Sequence, residues 1–276
     1  MRPRQWVKNG FVVTAPLFAG ALDDWSGRWS TLLATAAFCA GASAGYLVND
    51  VIDREADRTH PRKRHRPVAS GRIGAPTALG MAAALVVVAM ALAVASAPLV
   101  AATLGTYLVV QSLYSTVFKH TVLVDVFLIS TGFLLRVLAG AAAVDVTPSD
   151  WLFVCAGSLS LLLGFGKRRS ELLELADSAR EHRAVLEEYS LGFLDQALAM
   201  LTGVTLVAYC VYAVEAPSDA PVVATVPWVA YGLLRYAYLV HHRHDGGNPT
   251  NMLLRDPGLA AAVAGWGITA AVVLYT

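Results

Sequence analysis

The sequence predicts an all-α, polytopic membrane protein from its composition, the length of its apolar runs and the placement of its charges. Of its 276 residues, 56% are hydrophobic and 15% charged, which is too apolar for an ordinary soluble domain. Residues 73–118 contain no Asp, Glu, Lys, Arg or His, enough for two spans of about 20 residues each. Backbone groups in lipid must bond within their own segment, so helices are expected.

The same criterion, applied along the chain, predicts nine transmembrane spans. The first and sixth are short or weakly bounded, so a count of eight stays open. No soluble domain interrupts the spans, which predicts a single transmembrane domain over residues 1–276. The predicted spans are 9–22, 29–50, 75–96, 98–118, 121–143, 151–166, 190–214, 220–241 and 258–275.

The cations provide an independent test of this topology. If the loops alternate between the two sides, 18 of the 21 Lys and Arg residues fall on one side, and the other side holds only Arg28. By the positive-inside rule, the N-terminus and the charged loops are cytoplasmic and the C-terminus is outside. The loops that carry these cations are 2–8, 54–72, 119, 167–183 and 243–255.

Several other chemistries are not indicated. Cys39, Cys155 and Cys210 lie in apolar spans without metal-ligand spacing and are expected to be small core residues. We expect no cleaved signal segment at the N-terminus. Nucleic acid is not an expected partner, because the basic residues lie close to the membrane, and the absence of a G-x-x-x-x-G-K motif gives no indication of ATP use.

The stretch NDVIDREADRTHPRKRHRP, residues 49–67, follows the second span. On a continuing helix, Asn49, Asp50, Asp53 and Asp57 lie within an arc of about 100°. Close carboxylates repel one another, and a hard divalent cation relieves that conflict. Mg²⁺ is usually held by one or two carboxylates together with substrate phosphates. This face is therefore suited to a metal-bound diphosphate.

A simpler alternative is a solvated cytoplasmic helix whose acids pair with Arg54 and Arg58. The cations that follow the acids also have a simple alternative, as an anchor for lipid headgroups or a topology signal. Beside the acidic face, however, they are suited to direct contact with a diphosphate. Pro67 and Gly71 break the helix, so the loop can fold back over the site. These cations are Arg62, Lys63, Arg64, His65 and Arg66.

NDVIDREAD resembles the first aspartate-rich motif, N-x-x-x-D-x-x-x-D, of the UbiA-type intramembrane prenyltransferase superfamily. The resemblance implies a nine-helix bundle with a cytoplasm-facing site, in which Mg²⁺ holds the diphosphate of a polyprenyl donor. A second aspartate-rich motif normally follows the sixth span, but this chain has GFGKRRSELLELAD there. Cations in place of carboxylates favour a more anionic ligand set, although Lys167, Arg168 and Arg169 also fit a topology signal.

Five separated segments resemble one branch of that superfamily, the decaprenyl-phosphate phosphoribosyltransferases of bacterial arabinan and arabinogalactan cell-wall synthesis. The resemblance implies an enzyme of the bacterial plasma membrane. It would transfer 5-phosphoribosyl from 5-phosphoribosyl 1-diphosphate to decaprenyl or another polyprenyl phosphate, giving decaprenylphosphoryl ribose 5-phosphate and diphosphate. It also allows a homo-oligomer. The segments are RPRQWVKN, YSTVFKH, GFLLRVLAGA, GKRRSEL and RYAYLVHHRHDGGNPTNMLLRDP.

The resemblance and the charge pattern together give a hypothetical division of labour. Asp53 and Asp57 hold Mg²⁺, while Asn49 and Asp50 support or coordinate it, and all four are the expected catalytic residues. The donor and acceptor together carry three anionic groups, so the remaining site residues are cations with a nearby tyrosine. The sequence does not assign them to individual phosphates. They are Lys8, Arg58, Lys63, Arg66, Tyr114, Lys119, Lys167, Arg168 and Arg169.

Two other functions stay open at this point. One is a UbiA-type prenyltransferase that transfers a polyprenyl group to an aromatic acceptor. The other is a lipid transporter without chemistry, although inverted repeats do not support it. Arg136 and Arg235 lie inside spans, where a charge is a functional-site hypothesis by default. We expect Arg235 to snorkel to the surface and Arg136 to bind a ligand, pair with another helix or face the outer leaflet.

Overall fold

The computed structural model describes residues 3–59, 63–176, 188–216, 221–242 and 249–276, and every regular element in these ranges is helical. The all-α prediction is therefore confirmed. Short 3₁₀ helices cover Pro3–Gly10, Lys63–His65, Phe118–His120 and Val222–Thr225. The α-helices are α1 (Phe11–Phe18), α2 (Trp25–Ile52), α3 (Arg54–Thr59), α4 (Ala75–Ser96), α5 (Pro98–Thr116), α6 (Val124–Ala143), α7 (Asp150–Ala176), α8 (Leu191–Glu215), α9 (Val226–His242), α10 (Pro249–Arg255) and α11 (Pro257–Tyr275).

The predicted count of nine spans is higher than the structure supports. Within the described ranges, seven helices are long and apolar enough to cross a membrane. The first predicted span, 9–22, contains the eight-residue α1, which is too short to count among the seven. It continues directly from the 3₁₀ helix Pro3–Gly10, and this segment runs from Trp6, which donates to Ser43 Oγ near the motif end of α2, to Leu22, which donates to the Tyr275 hydroxyl at the opposite end. Gly20, in the left-handed region with φ of +68°, lies just beyond α1. The fourth predicted span, 98–118, forms the 19-residue α5, which is not among the seven.

The bundle has two main apolar cores. The first joins α1, α2, α4, α5 and α6, and α2 and α4 pack closely through alanines such as Ala34 and Ala89. Small residues let membrane helices approach and gain van der Waals contact. The second core joins α6 to the later helices around Leu162, Leu194 and Leu239. Because α6 contributes to both cores, it links the two halves of the bundle.

Tryptophans mark the end of the bundle opposite the aspartate motif. Trp25 and Trp29 lie in the first turns of α2, Trp151 starts α7, and Trp228 lies near the start of α9, all with exposed side chains. Trp is enriched at membrane–water interfaces, where its ring is apolar and its N–H is wet. These four residues therefore indicate where the bundle meets one membrane surface.

The contact between α1 and α6 depends on a glycine. A Cβ at Gly140 would lie 1.8 Å from the carbonyl oxygen of Val12 and 3.1 Å from Pro16 Cδ. We expect Gly140→Ala to lower the free energy of unfolding by about 1–3 kcal/mol, because the added methyl group overpacks this contact. The measurement is the thermal unfolding of the protein in detergent. Gly105→Ala in α5 is the matched control, because nothing lies within 4 Å of its added Cβ. Equal melting temperatures for the two variants would contradict this packing.

Candidate functional site at the end of the second long helix

The aspartate motif lies where α2 passes into α3. α2 ends at Ile52, and Asp53 occupies the junction with φ of −86° and ψ of 9°. The hydrogen-bonding register nevertheless continues, since Asp53 N donates to Asn49 O at 2.9 Å and Asp57 N donates to Asp53 O at 2.8 Å. Asp50 and Asp57 are buried, and Asn49 and Asp53 are half-buried. The junction therefore keeps the motif residues in helical register although the helix is interrupted.

Arg66 brings two of the aspartates together. Its Nη1 lies 2.6 Å from Asp57 Oδ2 and 3.3 Å from Asp50 Oδ1. The segment after α3 turns back along it, since Arg58 Nε donates to the Ala69 carbonyl oxygen at 3.3 Å. Val68 is buried there, and Gly71 lies in the left-handed region at φ of +79°. The predicted fold-back of the loop is present, and Arg66 supplies the positive charge that two close carboxylates require.

The other cations around the motif have different surroundings. Arg58 Nη1 contacts Glu55 Oε2 at 2.9 Å, and Arg54 Nε lies 3.9 Å from Glu55 Oε1. These two arginines therefore pair with Glu55 rather than forming the solvated pairs with the aspartates that the simpler alternative required. Lys63 is half-buried in its 3₁₀ helix, and Arg62 lies outside the described residues.

Lys119 joins the motif from a different part of the chain. It lies in the 3₁₀ helix Phe118–His120, and its Nζ is 3.1 Å from Asp53 Oδ1. Tyr114, which the sequence paired with it, contacts Arg168, whose Nη2 donates to the Tyr114 hydroxyl at 3.4 Å. The structure thus places Lys119 at the aspartates and Tyr114 beside the basic cluster on α7.

Arg168 is the most deeply enclosed of the predicted phosphate-binding cations, with 1% of its side chain exposed. Its Nε donates to Asp125 Oδ2 at 2.7 Å, and Nη1 also contacts Glu171. A buried charge needs such compensation. The pairing with Asp125 was not predicted from the sequence, although a carboxylate inside an apolar span is a signal of a paired charge.

The flanking cations of that cluster differ in exposure. Arg169 is buried, and it donates to Asp195 Oδ1 at 2.6 Å and to the Val240 carbonyl oxygen at 2.9 Å. Lys167 is half-buried, with Nζ at 3.6 Å from Glu171 Oε1. Direct phosphate binding by Lys167, Arg168 and Arg169 stays a prediction, and Lys167 is the most accessible of the three.

Lys8 lies half-buried in the N-terminal 3₁₀ helix, beside a buried polar cluster. The neighbouring Asn9 accepts a hydrogen bond from Arg136 Nε at 2.7 Å and donates one to Cys39 Sγ at 3.0 Å. Arg136 also donates to the Tyr107 hydroxyl at 3.2 Å and lies 4.6 Å from that ring centroid. Arg136 is therefore paired with other helices, one of the three outcomes expected for it, and it anchors the segment that carries Lys8.

Arg235, the second intramembrane arginine, is held by a carboxylate. Its Nε and Nη2 donate to the two oxygens of Asp256 at 3.1 and 2.8 Å. The same Asp256 caps α11 by accepting from Leu259 N at 2.9 Å. This two-point contact, which the snorkelling interpretation did not include, ties α9 to the start of the last helix.

The donor set at the α2–α3 junction suits a hard cation, because it consists of carboxylate and amide oxygens. Within the described ranges, no group of three or more His, Cys, Asp and Glu side chains is arranged to hold a metal ion on its own. Mg²⁺ usually takes only one or two carboxylates and completes its shell with water and substrate phosphates. Asp53 and Asp57, with Asn49 beside them, fit that requirement.

The structure is a helical membrane bundle in which lysine and arginine contact an aspartate-rich helix end. These features define a class of membrane-embedded proteins suited to phosphorylated ligands. The chain belongs to the UbiA prenyltransferase family, whose model matches residues 10–255. This confirms the family that the motif at residues 49–57 predicted.

Relatives match over the full chain. The decaprenyl-phosphate phosphoribosyltransferase of Corynebacterium glutamicum is 34% identical over 285 residues, which cover 100% of this chain and 85% of the relative. The protein of the same name from Mycobacterium tuberculosis is 34% identical over 276 residues, covering 96% and 90%. A UbiA homolog from Archaeoglobus fulgidus, solved bound to DMAPP and Mg²⁺, superposes with a TM-score of 0.75 at 18% identity, over 99% of this chain and 97% of that one. The structural likeness supports the fold.

Proposed function

We propose that the protein transfers 5-phosphoribosyl from 5-phosphoribosyl 1-diphosphate to decaprenyl phosphate, or to another polyprenyl phosphate, and releases diphosphate. The observation that carries this proposal is the 34% identity over the whole chain to relatives named for that reaction. The site supports it through its mixture of charges. Aspartates suited to Mg²⁺ lie in contact with Arg66 and Lys119, which are suited to phosphates.

The charge requirement of this reaction favours such a mixture. The donor carries a diphosphate and a 5-phosphate, and the acceptor carries one more phosphate. Carboxylates alone would repel these groups, so lysines and arginines must face them. Arg66 and Lys119 contact Asp57 and Asp53 directly. A divalent cation on those carboxylates would leave both side chains free to turn toward the phosphates.

Mg²⁺ would be held by Asp53 and Asp57, supported by Asn49 and Asp50, and when bound it would stabilise the charge that develops on the departing diphosphate. An ionised phosphate monoester is already nucleophilic at neutral pH, so the reaction needs no general base. The chain's own contribution is to orient donor and acceptor and to place Arg66 and Lys119 beside the leaving group.

The bond changes are simple. A phosphate oxygen of the acceptor bonds to C1 of the ribose, and the bond from C1 to the diphosphate oxygen breaks with its electron pair leaving on diphosphate. In-line attack inverts C1. Lys8, Lys63, Arg58 and Lys167 are the further cations proposed to attract the phosphates to the membrane surface.

The proposed location is the bacterial plasma membrane, with the N-terminus and the aspartate motif on the cytoplasmic side. The support is the predicted topology of nine spans, which puts 18 of the 21 Lys and Arg residues in loops of one side. Both substrates would then meet at the inner surface, the sugar phosphate from the cytoplasm and the polyprenyl phosphate from the bilayer.

A labelled-donor assay tests this function. Purified protein in detergent or liposomes receives 5-phosphoribosyl 1-diphosphate labelled in the ribose, decaprenyl phosphate and Mg²⁺. We expect label to enter the organic, lipid-soluble fraction, with release of diphosphate. A parallel reaction supplies polyprenyl diphosphate and hydroxybenzoate. Prenylation of the aromatic ring without movement of ribose label would replace this proposal with the aromatic prenyltransferase, and lipid binding without either product would favour a transporter.

A further inference from the structure

A strained turn lies close to Lys119. Leu123 has φ of +66° and ψ of −47°, and Val124 N donates to the Val122 carbonyl oxygen at 2.8 Å. This is a γ-turn with positive φ, a rare and strained conformation. Glycine adopts positive φ without a steric penalty, but leucine does not. Such strain persists only where the surrounding structure enforces it.

A chain of buried hydrogen bonds enforces this turn. Leu123 N donates to the Tyr189 hydroxyl at 2.8 Å, and that hydroxyl donates to Asp125 Oδ1 at 3.3 Å. The other oxygen of Asp125 accepts from Arg168 Nε at 2.7 Å. All three side chains are buried, and Asp125 is fully enclosed. We call Tyr189, Asp125 and Arg168 the relay.

The protonation state of the Tyr189 hydroxyl allows it to hold the turn. Burial raises the pKa of Tyr189 to about 12, so its hydroxyl stays protonated at neutral pH. It can therefore accept from the Leu123 amide and donate to Asp125 at the same time. In a buried environment both bonds are stronger than in water, and the loss of one leaves a polar group without its partner.

We propose that Tyr189 is a positioning residue for the Lys119 loop, residues 118–124. By holding the strained turn at Leu123, the relay sets where this loop enters α6, and thereby keeps Lys119 Nζ within 3.1 Å of Asp53. Lys119 is one of the groups proposed to meet the donor, so Tyr189 acts on binding through it. The predicted change in donor KM rests on the proposed function, whereas the positioning of the loop does not.

Tyr189→Phe tests the proposal because it removes the hydroxyl and keeps the ring. We expect the KM for 5-phosphoribosyl 1-diphosphate to rise about 10-fold, the effect of one lost hydrogen bond. We expect kcat to stay within about two-fold because Lys119 would hold the diphosphate equally in the bound donor and in the transition state. A merely structural loss would lower the active fraction, and so kcat, without moving KM. Tyr212→Phe, a buried tyrosine on α8, is the matched control and should leave both values unchanged.

A double-mutant cycle adds a sharper test. If Tyr189 acts through Lys119, then Tyr189→Phe should have no further effect on donor KM in a Lys119→Met background. Additive effects of the two substitutions would overturn the proposal, as would an unchanged KM in the single Tyr189→Phe variant.

Hydrogen–deuterium exchange measures the protection of the loop amides and does not depend on enzyme activity. Amides of residues 118–125 should exchange faster in Tyr189→Phe than in the parent, with the core of α2 unchanged. If the parent moves no ribose label but this exchange rises, the proposed function fails and the positioning of the loop stands. If the parent transfers ribose and neither exchange nor KM changes, the proposed function stands and the positioning role fails.

Discussion

Replacing Asp57 with asparagine is expected to lower phosphoribosyl transfer on the order of 10³-fold, the loss seen when one positioned electrostatic group is removed from a leaving-group site. Asp57 is buried on α3, just before the segment that folds back, and it contacts Arg66 at 2.6 Å. Asparagine keeps the shape and removes the charge that would hold a divalent cation. Asp53→Asn should act similarly, through the same site.

The measurement is kcat/KM for ribose transfer at saturating polyprenyl phosphate, together with the melting temperature in detergent. Arg66 retains Asp50 at 3.3 Å in the Asp57→Asn variant, so we expect the fold to persist. Glu55→Gln is the matched control, since it makes the same charge change on the same short helix with a side chain that is 75% exposed. Near-normal turnover in both aspartate variants would remove these residues from the metal site.

Arg168→Met is expected to destabilise the protein by about 3–5 kcal/mol, the usual cost of breaking a buried ion pair by removing one partner. The substitution leaves Asp125, whose side chain is 0% exposed, without its charged partner at 2.7 Å. Methionine fills a similar volume, so the main effect is electrostatic. Thermal unfolding in detergent should show a decrease in melting temperature of about 10 °C or more.

The neighbouring Lys167→Met provides the comparison. Its pair with Glu171 is longer, at 3.6 Å, and half-exposed, so we expect a change of less than about 1 kcal/mol. Adding Asp125→Leu to Arg168→Met should recover much of the lost stability, because it removes the buried unpaired charge. An Arg168→Met protein that melts at the parent temperature would show that this ion pair does not stabilise the bundle.

Local patterns predicted the geometry of the helix end that carries the aspartates. Helical periodicity placed Asn49, Asp50, Asp53 and Asp57 together, and the structure keeps the i to i−4 hydrogen bonds through the junction. Pro67 and Gly71 predicted that the following loop turns back. The family followed from the same motif, because its spacing reflects the register of one helix end.

Long-range pairing was not predictable in the same way. Arg168 and Asp125 are 43 positions apart, and no periodicity connects them, so the basic cluster on α7 was interpreted as phosphate ligands or a topology signal. The partners Asp195 and Asn9 were missed for the same reason. The strained turn at Leu123 has no composition signal either, since leucine rarely adopts positive φ.

The span count shows where hydropathy fails. An apolar run at residues 9–22 predicted a membrane crossing, but the helix in it has eight residues and lies against α6 at Gly140. Hydropathy reports burial from water and does not separate contact with lipid from contact with another helix. The class of fold was therefore predicted, and the nine predicted spans exceed the seven long apolar helices of the described residues.

The central claim is that the carboxylates at the α2–α3 junction use a divalent cation to hold a departing diphosphate. The most direct measurement is the initial rate of ribose transfer into lipid by the purified parent protein, first in excess EDTA and then with Mg²⁺ restored. We expect transfer to stop in chelator and to return with Mg²⁺ in the parent, but not in Asp57→Asn. Full-rate transfer in excess EDTA would contradict the claim.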